Sequence, residues 1–154
     1  MDKTKLSESD ICDKFIRPAM EQAGWNGLDQ IFREYPLRAG RVVVRGSKAY
    51  RDKSTVLRAD YALFYKANIP LAVVEAKDNQ HAVGAGMGQA LNYAQLLDVP
   101  FSFSSNGDGF VFRDATLATG VLEQNLTLDQ FPGPAELWRR YCAWKGWSPE
   151  VQRV

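Results

Sequence analysis

The sequence predicts an α/β protein whose mixed central β-sheet is flanked by helices. Two strand-like runs, residues 59–65 and 71–75, are joined by the short segment "KANIP", which is typical of a turn between neighbouring strands. From residue 71 onward the pattern changes from strand to helix and back to strand, which requires a parallel crossover. With 154 residues, one hydrophobic core is the default, so we expect a single domain over residues 1–154.

The segment "SESDICDKFIRPAMEQAGW" predicts a helix at the start of the chain. Ser7 is the expected N-cap, and Asp10 occupies the capping-box position three residues later. Apolar residues recur at helical spacing until Gly24, which ends the pattern. Pro18 lies inside this helix, so we expect a kink near Arg17.

Strands are predicted next at residues 33–37 and 41–44, with a turn between them at Ala39-Gly40. The polar segment "GSKAYRDKS" that follows is predicted to form a mobile loop. The later strand at residues 71–75 is apolar on both faces, which favours a central place in the sheet.

Glycine marks the start of the predicted crossover helix. Gly84, Gly86 and Gly88 each weaken a helix by about 1 kcal/mol relative to Ala, so we expect the helix to begin there, with its backbone close to the sheet or to a ligand. The segment "VPFSFSSNGDGFVFRD" then predicts a β-hairpin. The segment "FPGPAELWRRYCAWKGW" predicts a closing helix with Pro134 in its first turn.

Composition excludes some classes of protein. No apolar run approaches the roughly 20 residues that span a bilayer, and "MDKTKLSESD" lacks the apolar core of a secretory signal. We therefore expect a cytoplasmic protein without membrane contact. Cys12 and Cys142 are far apart and show no metal-ligand spacing, so we expect two buried, reduced thiols.

Positive charge is concentrated between residues 38 and 58, although the net charge is only +1. This stretch holds seven basic residues and one acid, Asp52, and it suits either a polyanion-binding surface or a solvated hairpin. Six candidate polyanion contacts lie in it: Arg41, Arg45, Lys48, Arg51, Lys53 and Arg58.

Charged residues occur where two of the predicted strands begin and end. Asp60 lies at the start of one strand, and Glu75-Ala76-Lys77 ends the next. Because side chains alternate along a strand, Glu75 and Lys77 share a face. If the strands form a hairpin, Asp60 and Glu75 approach each other and repel unless a cation lies between them. The alternative is an exposed Glu75–Lys77 ion pair worth about 0–1 kcal/mol.

The oxygen donors of such a carboxylate pair favour a hard cation, and Mg²⁺ is the expected one. Magnesium usually takes one or two carboxylates, keeps several waters and accepts a substrate phosphate. Lys77 would then orient a nucleophilic water or stabilise charge on the phosphate. The residues therefore indicate phosphodiester hydrolysis.

The spacing of these residues resembles the PD-(D/E)xK nuclease signature: Asp60, fourteen residues, then Glu75-Ala76-Lys77. Ala59 replaces the proline that often precedes the aspartate. Gln89 and Tyr93 resemble the Gln-x-x-x-Tyr motif of the RecB-like branch, on the helix after the catalytic strand. The resemblance implies a restriction-endonuclease-like core and five catalytic residues: Asp60, Glu75, Lys77, Gln89 and Tyr93.

Three longer stretches resemble the N-terminal region of the R subunit of type I restriction-modification systems. They are "SESDICDKFIRPAMEQAGW", the segment from "RADYALFYK" to "NGDGFVF", and "ELWRRYCAWKGW". The resemblance implies a Mg²⁺-dependent endonuclease that cuts double-stranded DNA away from its recognition site, with modification and specificity subunits as partners. It also places Glu8 near the metal held by Asp60 and Glu75, although Glu8 equally suits a helix N-terminus.

In that family an ATP-driven translocase follows the nuclease. The sequence has no phosphate-binding loop ending in Gly-Lys-Ser/Thr, so we expect a fragment of a larger polypeptide whose missing motor uses ATP. Three other functions stay open from the residues: a non-catalytic DNA-binding module, a repair or junction nuclease of the same superfamily, and a small-molecule hydrolase using Asp60 and Glu75 as acid and base.

Overall fold

The computed structural model of the protein describes residues 2–37, 56–117 and 123–148, together with the backbone of residues 43–45 and 48–50. The strands are β1 (Ile31–Leu37), β2 (Val43–Arg45), β3 (Lys48–Tyr50), β4 (Leu57–Phe64), β5 (Pro70–Ala76), β6 (Phe101–Ser105), β7 (Phe110–Asp114) and β8 (Glu123–Leu126). The α-helices are α1 (Glu8–Ile11), α2 (Arg17–Gln22), α3 (Met87–Leu97) and α4 (Pro134–Lys145). A π-helical segment, Cys12–Ile16, connects α1 to α2, and short 3₁₀ turns occupy Lys3–Lys5 and Leu128–Gln130.

Six strands form one mixed sheet in the order β1-β4-β5-β6-β7-β8. Strands β5 and β6 pair in parallel across α3, and the other neighbours in this sheet pair antiparallel. The predicted fold class and the predicted parallel crossover are both confirmed. Strand β5 lies inside the sheet with residues 71–76 buried, as its apolar sequence indicates.

The predicted pairing of the early strands is wrong. Strand β1 pairs with β4, whereas β2 pairs with β3 in a separate sheet of two strands. The segment predicted as a mobile loop contains β3, and the predicted Ala39-Gly40 turn lies outside the described residues. A strand of three residues is too short for an alternating pattern to stand out among polar neighbours.

The N-terminal helix, defined here as α1, the π-helical segment and α2, begins with the predicted capping box. The Ser7 hydroxyl accepts a hydrogen bond from the backbone of Asp10, whose carboxylate accepts one from the backbone of Ser7. Before Pro18 the helix widens, and the N–H of Arg17 donates to the carbonyl of Cys12. Because a proline ring collides with the carbonyl four residues earlier, the wider turn provides the irregularity that Pro18 predicts.

Helices cover both faces of the sheet. The N-terminal helix and α4 pack on one face around Trp25, whose indole N–H donates to the carbonyl of Pro132 at 2.8 Å. Helix α3 packs on the other face. Cys12 and Cys142 are buried and form no disulfide, as expected. In the described part of the chain, no helix is both long and apolar enough to cross a membrane.

Candidate active site

The β4–β5 hairpin brings the two predicted carboxylates together. Its turn closes where the Tyr65 N–H donates to the Ile69 carbonyl at 2.9 Å, and Asn68 takes a positive φ of 70°. The antiparallel register pairs Tyr61 with Val74. Asp60 and Glu75 are the next residues outward on the two strands, so they lie opposite each other.

Two short hydrogen bonds cross between the strands at this point. The Asp60 N–H donates to Glu75 Oε2 at 2.7 Å, and the Ala76 N–H donates to Asp60 Oδ2 at 2.8 Å. Each carboxylate therefore accepts a backbone N–H of the opposite strand. These bonds fix both side chains, because a rotation of either would leave an N–H without its acceptor.

Burial makes the negative charge of this pair costly. Glu75 is only 3% exposed, and burial together with repulsion from Asp60 raises its pKa to about 8. Burial also raises the pKa of Asp60, although the Ala76 N–H and the charges of Arg33 and Lys77 partly oppose the rise. The pair therefore favours a bound proton or a bound cation near neutral pH.

Lys77 follows β5 and continues its pairing with β6. Its N–H donates to the Ser105 carbonyl at 2.9 Å. Burial raises the pKa of Glu75, Asp60 and Glu8, and the positive charge of Lys77 lowers the pKa of each. Lys77 therefore interacts electrostatically with all three carboxylates. Since Glu75 is buried, an exposed Glu75–Lys77 ion pair does not describe this end of the strand.

Glu8 begins α1 close enough to the pair to interact with it electrostatically. Burial raises the pKa of Glu8, and the charge of Asp60 raises it further. Within the described ranges, however, no three His, Cys, Asp or Glu side chains are placed to hold one metal ion. The role of Glu8 as a third ligand therefore stays a prediction, and two carboxylates are the donor set that the geometry provides.

Helix α3 begins directly against Glu75. The Gly86 N–H donates to Ser104 Oγ at 2.9 Å, and a Cβ at Gly86 would lie 3.3 Å from the Cβ of Glu75. The expected close approach of this glycine to the sheet is thus confirmed. On the same helix, the Gln89 amide donates to the Tyr93 hydroxyl at 2.6 Å, which shows that the two motif residues share a face.

The predicted basic contacts are only partly described. Arg58 is exposed on β4. Arg45 and Lys48 lie in β2 and β3, where the structure describes the backbone alone. Arg41, Arg51 and Lys53 lie outside the described residues. Their role in binding DNA stays a prediction.

Two residues near the site were missed from the sequence, Arg33 and Glu34 on β1. Arg33 lies opposite Tyr61, and Glu34 lies at the level of Asp60 with a positive φ of 52°. Burial raises the pKa of Asp60, and the negative charge of Glu34 raises it further. Only the pairing of β1 with β4 brings these residues to the site, and a correct prediction of that pairing would have identified them.

Comparison with known proteins gives a consistent result. The family model described as the N terminus of type I restriction enzyme R proteins matches residues 5–119. The type I restriction enzyme EcoAI endonuclease subunit of Escherichia coli is 54% identical over 146 residues, which cover 94% of this chain and 18% of that protein. A solved fragment assigned to an HsdR subunit of a type I restriction enzyme from Vibrio vulnificus has a TM-score of 0.75 and 39% identity, over 92% of this chain and 26% of that one. The chain thus spans about a fifth to a quarter of these relatives.

Proposed function

The chain belongs to the family of type I restriction enzyme R protein N termini, and from this we propose that it is the magnesium-dependent endonuclease domain of such an R subunit. The reaction is hydrolysis of phosphodiester bonds in double-stranded DNA, away from the recognition site. The observation that carries the proposal is the pair of opposed carboxylates, Asp60 and Glu75, with Lys77 two residues beyond.

The carboxylate pair fits a magnesium ion. Asp60 and Glu75 supply hard oxygen ligands, and Mg²⁺ is commonly held by one or two carboxylates with the remaining positions left to water and phosphate. Burial and the charge of Asp60 raise the pKa of Glu75, because they destabilise its ionised form. A bound cation would offset that destabilisation. When bound, Mg²⁺ acts as a Lewis acid and lowers the pKa of a coordinated water.

The other predicted residues have roles that suit their positions. Lys77 places an ammonium group beside the carboxylates, where it attracts the phosphate and stabilises negative charge as the P–O bond breaks. Gln89 is exposed at the start of α3, and the Tyr93 hydroxyl accepts a hydrogen bond from its amide, which fixes the orientation of that amide. Gln89 is then available to position the DNA strand.

The proposal extends to the partners of the longer protein. Under this proposal, residues 1–154 act as one nuclease domain in the cytoplasm. A motor elsewhere in the longer polypeptide uses ATP. Modification and specificity subunits supply the recognition of DNA sequence. The printed name of the Escherichia coli relative, an endonuclease subunit of a type I restriction enzyme, supports this assignment.

Calorimetric titration with MgCl₂ tests the metal site directly. The unaltered chain, Asp60→Asn and Glu75→Gln are titrated with and without a DNA duplex. We expect the unaltered chain to bind Mg²⁺ and both variants to lose at least tenfold in affinity, since each lacks one of two charged ligands. Asp129→Asn, which removes an exposed carboxylate in a distant 3₁₀ turn, is the matched control and binds as the unaltered chain does.

Equal heats from the unaltered chain and both site variants, with all proteins folded, would contradict a metal site. DNA binding without any metal requirement would then favour the non-catalytic binding module. If Mg²⁺ binds, nicking of a supercoiled plasmid by the unaltered chain and by Lys77→Ala tests the chemistry, and we expect the variant to lose most of the activity.

A further inference from the structure

We propose that Arg33, on β1, binds a backbone phosphate of the DNA strand that lies beside Asp60 and Glu75. This assignment rests on the proposed function and adds a phosphate-binding residue from outside the nuclease motifs. Arg33 precedes those motifs in the sequence by more than twenty residues, and only the β1–β4 pairing places it at the site.

The first support is the position of the guanidinium. Arg33 pairs with Tyr61, the residue that follows Asp60 on β4, and its Cζ lies 5.1 Å from the centre of the Tyr61 ring. Asp60 directly precedes Tyr61 on β4, so Arg33 lies one register position from the Asp60–Glu75 pair. A DNA phosphate bound beside Asp60 would therefore be close enough to be attracted by the positive charge of Arg33.

The second support is the weak engagement of the guanidinium by the protein itself. Its Nη1 lies 3.4 Å from the Tyr61 hydroxyl and 3.8 Å from the Asp13 carboxylate, both long for charge-assisted hydrogen bonds. Its Nε is buried and has no hydrogen-bond partner among the residues that the structure describes. An arginine with an unsatisfied buried donor gains by turning toward a stronger acceptor.

The described groups around Arg33 do not supply that acceptor. Asp13 is the carboxylate that pairs with Arg33 in the described part of the chain, but its side chain is 67% exposed and remains hydrated. The titratable groups that interact with Arg33 come from the N-terminal helix and β4, namely Glu8, Cys12, Asp13, Asp60 and Tyr61. Burial raises the pKa of both Cys12 and Tyr61, so these two groups are neutral near pH 7.

A phosphate diester matches the chemistry of this position. The guanidinium is planar, permanently charged and able to donate two parallel hydrogen bonds to phosphate oxygens. The side chain of Arg33 is 31% exposed, so it reaches solvent from β1, and the Tyr61 ring lies against one face of its guanidinium. Substrate binding would then satisfy the donors that the free protein leaves weakly bonded.

The test measures affinity for a DNA duplex at several KCl concentrations by fluorescence anisotropy, without divalent metal. Arg33→Gln is expected to weaken binding about tenfold and to reduce the slope of log K against log[salt] by about 0.9, the value for one phosphate contact. Arg33→Lys keeps the charge and therefore the slope, but it loses part of the affinity with the bidentate geometry.

Two further variants separate phosphate binding from a structural role. Asp13→Asn removes the carboxylate near Arg33 and leaves the arginine, so affinity stays equal or rises. Arg139→Gln removes an exposed arginine that pairs with Glu136 on α4, and it should leave the slope unchanged. Unfolding curves of all variants establish that each is folded under the binding conditions.

The proposal is overturned if Arg33→Gln lowers the melting temperature but leaves affinity and slope as in the unaltered chain. It is also overturned if the unaltered chain shows no salt-dependent binding to the duplex. A failure of the nuclease assignment gives a different result from a failure of this proposal. Asp60 and Glu75 would then bind no Mg²⁺, whereas the slope of log K against log[salt] would still change on substitution of Arg33.

Discussion

At the scale of a single residue, the buried carboxyl of Glu75 makes the stability of the fold depend on pH. Its pKa is about 8 in the folded chain against an ordinary value of 4.5, chiefly because of burial and then of Asp60. The folded state therefore holds a proton that the unfolded state releases between these pH values. In EDTA we expect the free energy of unfolding to fall by on the order of 3 kcal/mol as pH rises from 5 to 8.

Urea unfolding at pH 5, 6, 7 and 8 measures this dependence. Glu75→Gln has no carboxyl to titrate at this position, so we expect it to lose most of the decline. Glu123→Gln, an exposed position on β8, is the matched control and follows the unaltered chain. Saturating MgCl₂ should flatten the profile of the unaltered chain by stabilising the ionised form. A profile shared by the unaltered chain and Glu75→Gln would show that Glu75 is ionised when folded.

At the scale of an element, the start of α3 lies in close contact with β5 and β6 at Gly86. A Cβ on Gly86 would lie 3.1 Å from Ser104 Oγ and 3.3 Å from the Cβ of Glu75, whereas a Cβ on Gly88 would meet nothing within 4 Å. Gly86→Ala is expected to destabilise the fold by about 1–3 kcal/mol through overpacking. Gly88→Ala should stabilise it by up to about 1 kcal/mol, since Ala is the better helix former.

Thermal unfolding of the two variants checks these opposite signs, because both substitutions are the same chemical change two residues apart. Magnesium titration adds a second measurement, since a Cβ at Gly86 presses on the strand that carries Glu75. We expect weaker Mg²⁺ binding by Gly86→Ala only. Equal stabilisation by both substitutions would mean that α3 begins farther from β5 than the structure shows.

At the scale of the whole molecule, an ion pair between Arg140 and Asp114 joins the closing helix to the sheet. Arg140 of α4 donates to the buried Asp114 of β7 at 2.9 Å and also bonds Glu136. Arg139 bonds the same Glu136 but remains largely exposed. We expect Arg140→Ala to cost about 2 kcal/mol, because it leaves the Asp114 carboxylate without its charged partner.

For a domain of this size, that loss corresponds to a melting temperature about 4–8 °C lower. Arg139→Ala is the matched control, and its cost should stay within about 1 kcal/mol because its ion pair is exposed. Differential scanning calorimetry of both variants decides the comparison. Similar melting temperatures for Arg140→Ala and Arg139→Ala would mean that apolar packing, rather than the ion pair with Asp114, stabilises the contact between α4 and the sheet.

Local sequence determined much of this protein. Alternating and helical patterns predicted the β4–β5 hairpin and the β5–α3–β6 crossover, because each depends on neighbours close in the chain. The same hairpin predicted that Asp60 and Glu75 would lie together, and the four-residue spacing predicted that Gln89 and Tyr93 would share a face.

Tertiary structure alone decided which distant elements meet. The pairing of β1 with β4 passes over a long intervening segment, and no local pattern of residues 31–37 specifies that partner. That pairing brings Arg33 and Glu34 to the site. The burial of Glu75, which raises its pKa, likewise requires α3 and the sheet to close around it. Chain-local forces fix hairpins and helices, whereas strand partners and electrostatic environments depend on how the whole chain packs.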